Sequence, residues 1–332
     1  MKASGSHASP FTAVAQWALL AVIVLAASIK SYSAYSTTLD YPDLTPRNIL
    51  SGNARAPNRY RLLAPLLWRM AASTGIDAET ADKGVVLVSI VFCYTALSTA
   101  LYLSSRSVPV TAVCLLVFFG ASASGFWFRY RDTFFDVGFA CAGMVLVVRE
   151  RPRWRLFCAL SAVAALNRET WAFSLFAAAL SRWAHAGSLR ALFVQRRADV
   201  VGLFSAGLVA AIVFAWLRIH YGNAPYHYGL WQYPTNLRHL FVGGSVRFVA
   251  AQGLWSAGSG LFALWLIFAI TGLCRDVPYA LGFVGSLIAT SFFISNWSET
   301  RIFFAAYAVL LISASAGLVE RSACTSPPVI PP

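Results

Sequence analysis

The chain has 332 residues, 58% of them hydrophobic and 12% charged, with a mean hydropathy of +0.63, whereas soluble domains carry about 25% charged residues. That balance excludes an ordinary soluble enzyme and makes lipid the expected solvent, with no nucleic-acid partner. The net charge of +13 comes almost wholly from arginine, the lysines being Lys2, Lys30 and Lys83. A high-GC bacterial coding bias and selection for bidentate phosphate binding would both produce that preference.

Apolar runs near the roughly 20 residues that cross a bilayer recur from end to end. They predict helices near 11–30, 84–104, 108–125, 133–148, 156–166, 171–183, 199–217, 248–273, 279–295 and 302–319. The first run, Phe11 to Ile29, is read as a retained signal-anchor, because its apolar core is long and no small-residue cleavage pattern stands out before Tyr32. The fifth and sixth runs are too short to span comfortably alone and meet at Asn167, Arg168, Glu169 and Thr170. Such a polar break is tolerated where it lines a protein cavity. No stretch is long and polar enough for a separate soluble domain. The expected fold is therefore all-α and integral to the membrane: a polytopic bundle of about ten transmembrane helices over 1–332. Cys93, Cys114, Cys141, Cys158 and Cys274 fall in or at the ends of apolar segments and read as core residues rather than a disulfide or metal framework.

Positive charge in short loops sets orientation. Arg149, Arg151, Arg153 and Arg155 form one cluster, and Arg182, Arg190, Arg196 and Arg197 another. With both in the cytoplasm and an even number of helices, both termini are cytoplasmic, the second as a short tail over 320–332. Segments 31–83, 126–132, 167–170, 218–247 and 296–301 then face outward, in a bacterial inner membrane. Arginine is plentiful there too, including Arg47, Arg55, Arg69, Arg218, Arg238 and Arg247. Outer arginines run against the usual bias, and an anionic ligand on that face would account for them.

The outer loop 31–83 opens with Thr37-Thr-Leu-Asp-Tyr-Pro-Asp43. Asp40 or Asp43 could deprotonate an acceptor hydroxyl as a general base, or both could be turn residues beside Pro42 and Pro46. The segment from Asn58 to Met70 carries a leucine stripe at helical spacing with Arg59, Arg61 and Arg69 off it, which predicts an interfacial helix over about 58–72. Pro65 either kinks it or marks its start. Next, Phe126-Trp-Phe-Arg-Tyr-Arg-Asp132, followed by Asp136, sets two arginines and two acids against aromatics. Arg129 and Arg131 could clamp a phosphate through paired N–H donors, and Asp132 or Asp136 could hold a metal or a sugar hydroxyl. A structural salt bridge is the competing reading. Arg168 and Glu169 sit at the helix break, where ionisable groups near lipid depth are functional by default. Glu299 and Arg301 repeat the acid and arginine pairing. In the outer loop 218–247, His227 and Trp231 lie among aromatics able to stack on sugars, but the histidine spacing matches no strong zinc pattern. There is no phosphate-loop glycine motif, no nucleophile elbow, no His-Glu-x-x-His and no convincing internal repeat.

An acid in the first outer loop just after the first helix, an interfacial helix following it, charged outer motifs and a broken helix pair at 167–170 together resemble the GT-C superfamily. These are polytopic glycosyltransferases that use polyprenyl-phosphate-linked sugar donors. The resemblance spans most of the chain as architecture and motif position rather than as a diagnostic string. It implies Asp40 as the catalytic base, with Asp43 second. It implies Arg59, Arg61, Arg129, Arg131, Arg168 and Arg301 as holders of the donor phosphate. Asp132, Asp136, Glu169 and Glu299 become candidates for sugar hydroxyls or for orienting those arginines. Many GT-C enzymes carry an outer soluble domain that is not found here, so the expected acceptor is small, lipid-linked or a surface glycan, or is bound by a partner. The implied reaction inverts the anomeric carbon on the extracytoplasmic face. A divalent cation, magnesium or manganese, could share the stabilisation of the leaving phosphate, but no ligand set for one is complete. A transporter or flippase of an anionic or polyprenyl-linked lipid, or a non-catalytic subunit of an envelope complex, would also want part of this pattern.

Overall fold

The computed structural model describes residues 10–35, 45–54, 60–124, 131–148, 151–222, 265, 267, 269–270, 274, 276–294 and 304–324. Among them the regular structure is helical, without strands. The elements are α1 (Pro10–Tyr35), α2 (Pro46–Leu50), α3 (Leu63–Ser73), α4 (Ala78–Ser105), α5 (Val108–Ser124), α6 (Arg131–Val147), α7 (Trp154–Asn167) and α8 (Trp171–Ala186), then α9 (Leu189–Gln195), α10 (Arg197–Tyr221), α11 (Val277–Ile294) and α12 (Phe304–Cys324). Every predicted apolar segment except 248–273 falls on one of these helices; most of that segment lies outside the described residues.

Local chemistry sets the helix ends. Asp77 caps α4, its carboxylate accepting from the backbone N–H of Glu79 and Thr80, and its hydrogen bonds to Thr80 hold the carboxyl below its ordinary range. Pro46 opens α2 behind the cap residue Thr45, a position where the missing N–H costs nothing. Pro65 falls in the first turn of α3 and so marks its start. Gly187 ends α8 with φ +75°, a left-handed conformation that glycine adopts without a Cβ penalty.

The core centres on α4, which packs against α6, α12, α1, α5 and α3, while α12 also lies against α6. Tyr94, Leu97, Leu101, Phe118, Phe134 and Phe304 are fully buried there. On the flanks, α10 packs on α7 and α11 on α8. Close approaches mark two crossings: a Cβ on Gly202 of α10 would run into the Trp154 ring, and one on Gly138 of α6 into the Phe92 ring.

Among the described residues three helices are long and apolar enough to cross a membrane, Val14–Ser33, Ala78–Ser105 and Arg197–Tyr221, and four shorter apolar helices accompany them. The outer surface of α10 presents Val201, Phe204, Leu208, Ile212, Trp216 and Ile219, all at least 49% exposed and recurring every three or four residues. A continuous apolar stripe of that length facing away from the core suggests lipid as its neighbour.

Candidate functional site

Three separated stretches of chain deliver polar side chains to one end of this bundle. Asp132 and Asp136 lie one helical turn apart at the start of α6, so both carboxylates leave the same face. Arg61, just ahead of α3, reaches Asp132, its Nη1 donating to Oδ2 at 2.7 Å. Arg168, the residue that ends α7, lies between the two acids: its Nε is 3.7 Å from Asp132 Oδ2 and its Nη1 3.6 Å from Asp136 Oδ2. Thr170, at the start of α8, donates its hydroxyl to Asp136 Oδ1. Asn167 closes the set from below by donating from Nδ2 to the Asp132 carbonyl at 2.9 Å.

The local fold explains why these groups meet. The chain leaves α7 in extended conformation at Arg168, φ −160° and ψ 152°, and re-enters a helix at Trp171, so a short polar break occupies the turn. A cation at that end also complements the negative pole of the α7 dipole. The segment before α3 is tied to the same turn, because the Leu62 N–H donates to the Leu166 carbonyl at 2.8 Å. Since α3 starts at Leu63, Arg61 is not part of its polar face, as an interfacial helix over 58–72 would have it; it turns inward and is 8% exposed.

Asp132 and Arg168 are also buried, at 8% and 5% exposure. Charges this far from water need partners, and two arginines facing two aspartates balance in formal charge. The two arginines are held differently. Arg61 makes a short charge-assisted bond, whereas Arg168 sits beyond hydrogen-bond range of both acids and its buried Nη1 makes no hydrogen bond among the described residues. The Arg168 guanidinium is therefore held by charge while keeping donor capacity.

Beside this network opens a cavity of about 200 Å³ lined by Tyr60, Ala165, Glu169, Phe214, Leu217 and Arg218. Arg218 stacks over the Tyr60 ring with its guanidinium carbon 3.9 Å from the centroid, and its Nη2 is 3.9 Å from Glu169 Oε1. Tyr60 in turn donates its hydroxyl to the Gly222 carbonyl at 2.8 Å. One wall is apolar and the other carries an acid, a cation and a phenol. Such a lining suits an amphipathic ligand with an anionic or hydroxyl-bearing head.

Of the residues that sequence reasoning singles out, Arg61, Asp132, Asp136, Arg168 and Glu169 come together here. Arg131 is the first residue of α6. Asp40, Asp43, Arg59, Arg129, His227, Trp231, Glu299 and Arg301 lie outside the described residues. The fold adds Tyr60, Thr170 and Arg218 to the set. Thr170 lies within the polar break and Tyr60 between two candidate arginines, so adjacency alone would have raised them. Arg218 is one of the outward-facing arginines that an anionic ligand would account for, but nothing local sets it apart from the others. Among the described residues no group of three His, Cys, Asp or Glu side chains could hold a metal ion, and the two aspartates that come nearest face guanidinium groups. These residues do not fit a divalent cation.

The opposite end carries a second buried charge pair. Arg182 Nε and Nη2 both meet Asp199 Oδ2 at 2.8 Å, and Trp154 Nε1 donates to Asp199 Oδ1 at 3.0 Å. Loop-charge counting groups Arg182 with the solvent-facing arginines that set topology; it is instead 1% exposed and clamps α8 to α10. Comparison of the chain with protein families, with curated proteins and with solved structures gives no match.

Proposed function

We propose that the chain is a membrane glycosyltransferase of the GT-C kind, moving a sugar from a polyprenyl-phosphate-linked donor to a lipid-linked or surface-glycan acceptor on the extracytoplasmic face. The observation that carries this reading is the convergence of Arg61, Arg168 and Arg218 with Asp132, Asp136 and Glu169 at one end of an apolar helical bundle, beside a half-apolar cavity. A polyprenyl-phosphate sugar has an apolar tail, a phosphate and hydroxyls, and the cavity offers a counterpart to each. In this proposal Arg168 and Arg218 stabilise the charge that grows on the leaving phosphate, the role in which fixed cations contribute most to rate. Glu169 accepts from sugar hydroxyls, and the Arg61–Asp132 pair positions Arg168. Asp40, with Asp43 second, takes the proton from the acceptor hydroxyl, and the anomeric carbon inverts.

The test is the lipid-linked sugar and surface-glycan profile, by mass spectrometry, of a deletion strain complemented with wild type, Asp40→Asn or Asp43→Asn. The proposal expects the deletion to lose one sugar and accumulate its acceptor, with one of the two substitutions expressed normally yet unable to restore the sugar. A deletion that changes no glycan rejects it.

A second reading, export of an anionic lipid, needs charge that can be reached from both sides; the far end holds the Arg182–Asp199 pair, which is buried in this state and would have to open during transport. Under it the deletion would leave glycan composition intact while the distribution of an anionic lipid between leaflets changed.

A further inference from the structure

The end of the bundle that holds the Arg182–Asp199 pair also carries an unusual surface. Helix α9 bridges the end of α8 and the start of α10, touching both, with Ser188 capping it through the Ala191 N–H. Leu192 anchors it to the bundle at 6% exposure, while Leu189, Phe193 and Val194 are 57%, 59% and 60% exposed. Their side chains thus point away from the core at an end otherwise rich in charge. Arg190 and Arg197 flank them, both exposed. The bond from Trp154 to Asp199 brings Arg153 and Arg155, also exposed, to the start of α10. None of these four arginines forms an ion pair among the described residues; Arg196 differs, lying 3.8 Å from Asp199.

We infer that α9, with Arg153, Arg155, Arg190 and Arg197, is a docking ledge for an anionic phospholipid leaflet. Leu189, Phe193 and Val194 seat at the boundary between headgroups and acyl chains, and the arginines take the lipid phosphates. Charge complementarity selects this occupant: a neutral apolar partner would leave four guanidinium groups without counter-charge, while an anionic leaflet supplies both an apolar layer and a sheet of phosphates. Arginine beside exposed Leu and Phe on a short surface helix is the pattern of a helix lying in the membrane plane, and basic clusters next to membrane helices recognise anionic headgroups. The inference uses the membrane reading of the chain and not glycosyl transfer, so it stands or falls separately from the proposed reaction.

The experiment is thermal unfolding of the full-length protein in a neutral detergent, with phosphatidylglycerol, phosphatidylcholine or inorganic phosphate added. Phosphatidylglycerol is expected to raise the midpoint several degrees more than phosphatidylcholine. That difference should fade near 1 M salt, where the screening length falls to about 3 Å, and inorganic phosphate should not reproduce it. Replacing the four arginines with glutamine should abolish the preference, and replacing them with lysine should keep it, which separates lost charge from a failure to fold. Equal responses of the wild type to the two lipids, a preference that persists in the glutamine variant, or an equal shift with inorganic phosphate would each overturn the inference.

Discussion

Arg61 donates a 2.7 Å hydrogen bond to Asp132 across 71 residues of sequence, and their side chains are 9% and 11% exposed. The pair joins the loop before α3 to the start of α6 and holds in place the acid against which Arg168 rests. Removing either partner alone leaves a charge in a poorly hydrated site, which costs about 3–5 kcal/mol, whereas replacing both with apolar groups of similar volume is often neutral. Asp132→Ala and Arg61→Ala are therefore expected to lower the unfolding midpoint of the detergent-solubilised protein sharply, and Arg61→Met/Asp132→Leu to recover most of the loss. A double variant as unstable as the sum of the singles would show that the two residues are not coupled.

Arg218 offers the complementary case. Its side chain is 34% exposed and its contact with Glu169 is long, so Arg218→Ala is expected to cost little stability, the stacking on Tyr60 contributing roughly 0.5–1 kcal/mol. If it contacts the leaving phosphate, transfer falls by about 100-fold or more while the unfolding midpoint barely moves. Assaying turnover and unfolding on the same preparation checks this. Tyr60→Phe, which loses the hydroxyl's bond to the Gly222 carbonyl, is expected to cost about 1 kcal/mol of stability and far less activity.

At the opposite end, Asp199→Asn should destabilise the protein, because Arg182 is left nearly fully buried without its counter-charge. Transfer per folded molecule should be unchanged, since this pair and the candidate site occupy opposite ends. A loss of turnover in folded Asp199→Asn would show instead that the two ends are coupled.

Gly202 tests the packing that supports that pair. Its missing Cβ leaves room for the Trp154 ring, with which a side chain would collide, so Gly202→Ala is expected to cost about 1–3 kcal/mol through overpacking. Gly207 sits on the same helix, where an added Cβ would meet nothing within 4 Å, and Gly207→Ala should be neutral or stabilising by up to about 1 kcal/mol. Unfolding midpoints of the two variants compare the effects directly.

How much of this is legible in the sequence depends on whether a feature is local. Helix spans such as α4 and α10 follow from apolar run length, and the break at Arg168 follows from four polar residues between two apolar runs. Asp132 and Asp136 can be placed on one face from their spacing alone. The partner of Arg61 cannot, because a guanidinium on a leucine-striped segment reads equally as interfacial or inward-turning, and only the start of α3 at Leu63 decides. Arg182 escapes the sequence for a related reason: its pairing with Asp199 crosses the α8–α10 connection, while loop-charge rules count arginines without asking which are buried. Arg218 and Tyr60 meet only in three dimensions, so nothing in the run of residues around either shows the cavity they line.

The most direct measurement is the amount of unconsumed polyprenyl-phosphate-linked sugar, by mass spectrometry, in membranes of a deletion strain complemented with wild type, Arg168→Gln or Arg190→Gln at matched expression. Glycosyl transfer at the Arg168 end predicts that the deletion and Arg168→Gln accumulate the same donor while Arg190→Gln matches wild type. If Arg168→Gln is folded and the donor stays at wild-type level, the arginine–aspartate end of the bundle is not where transfer occurs.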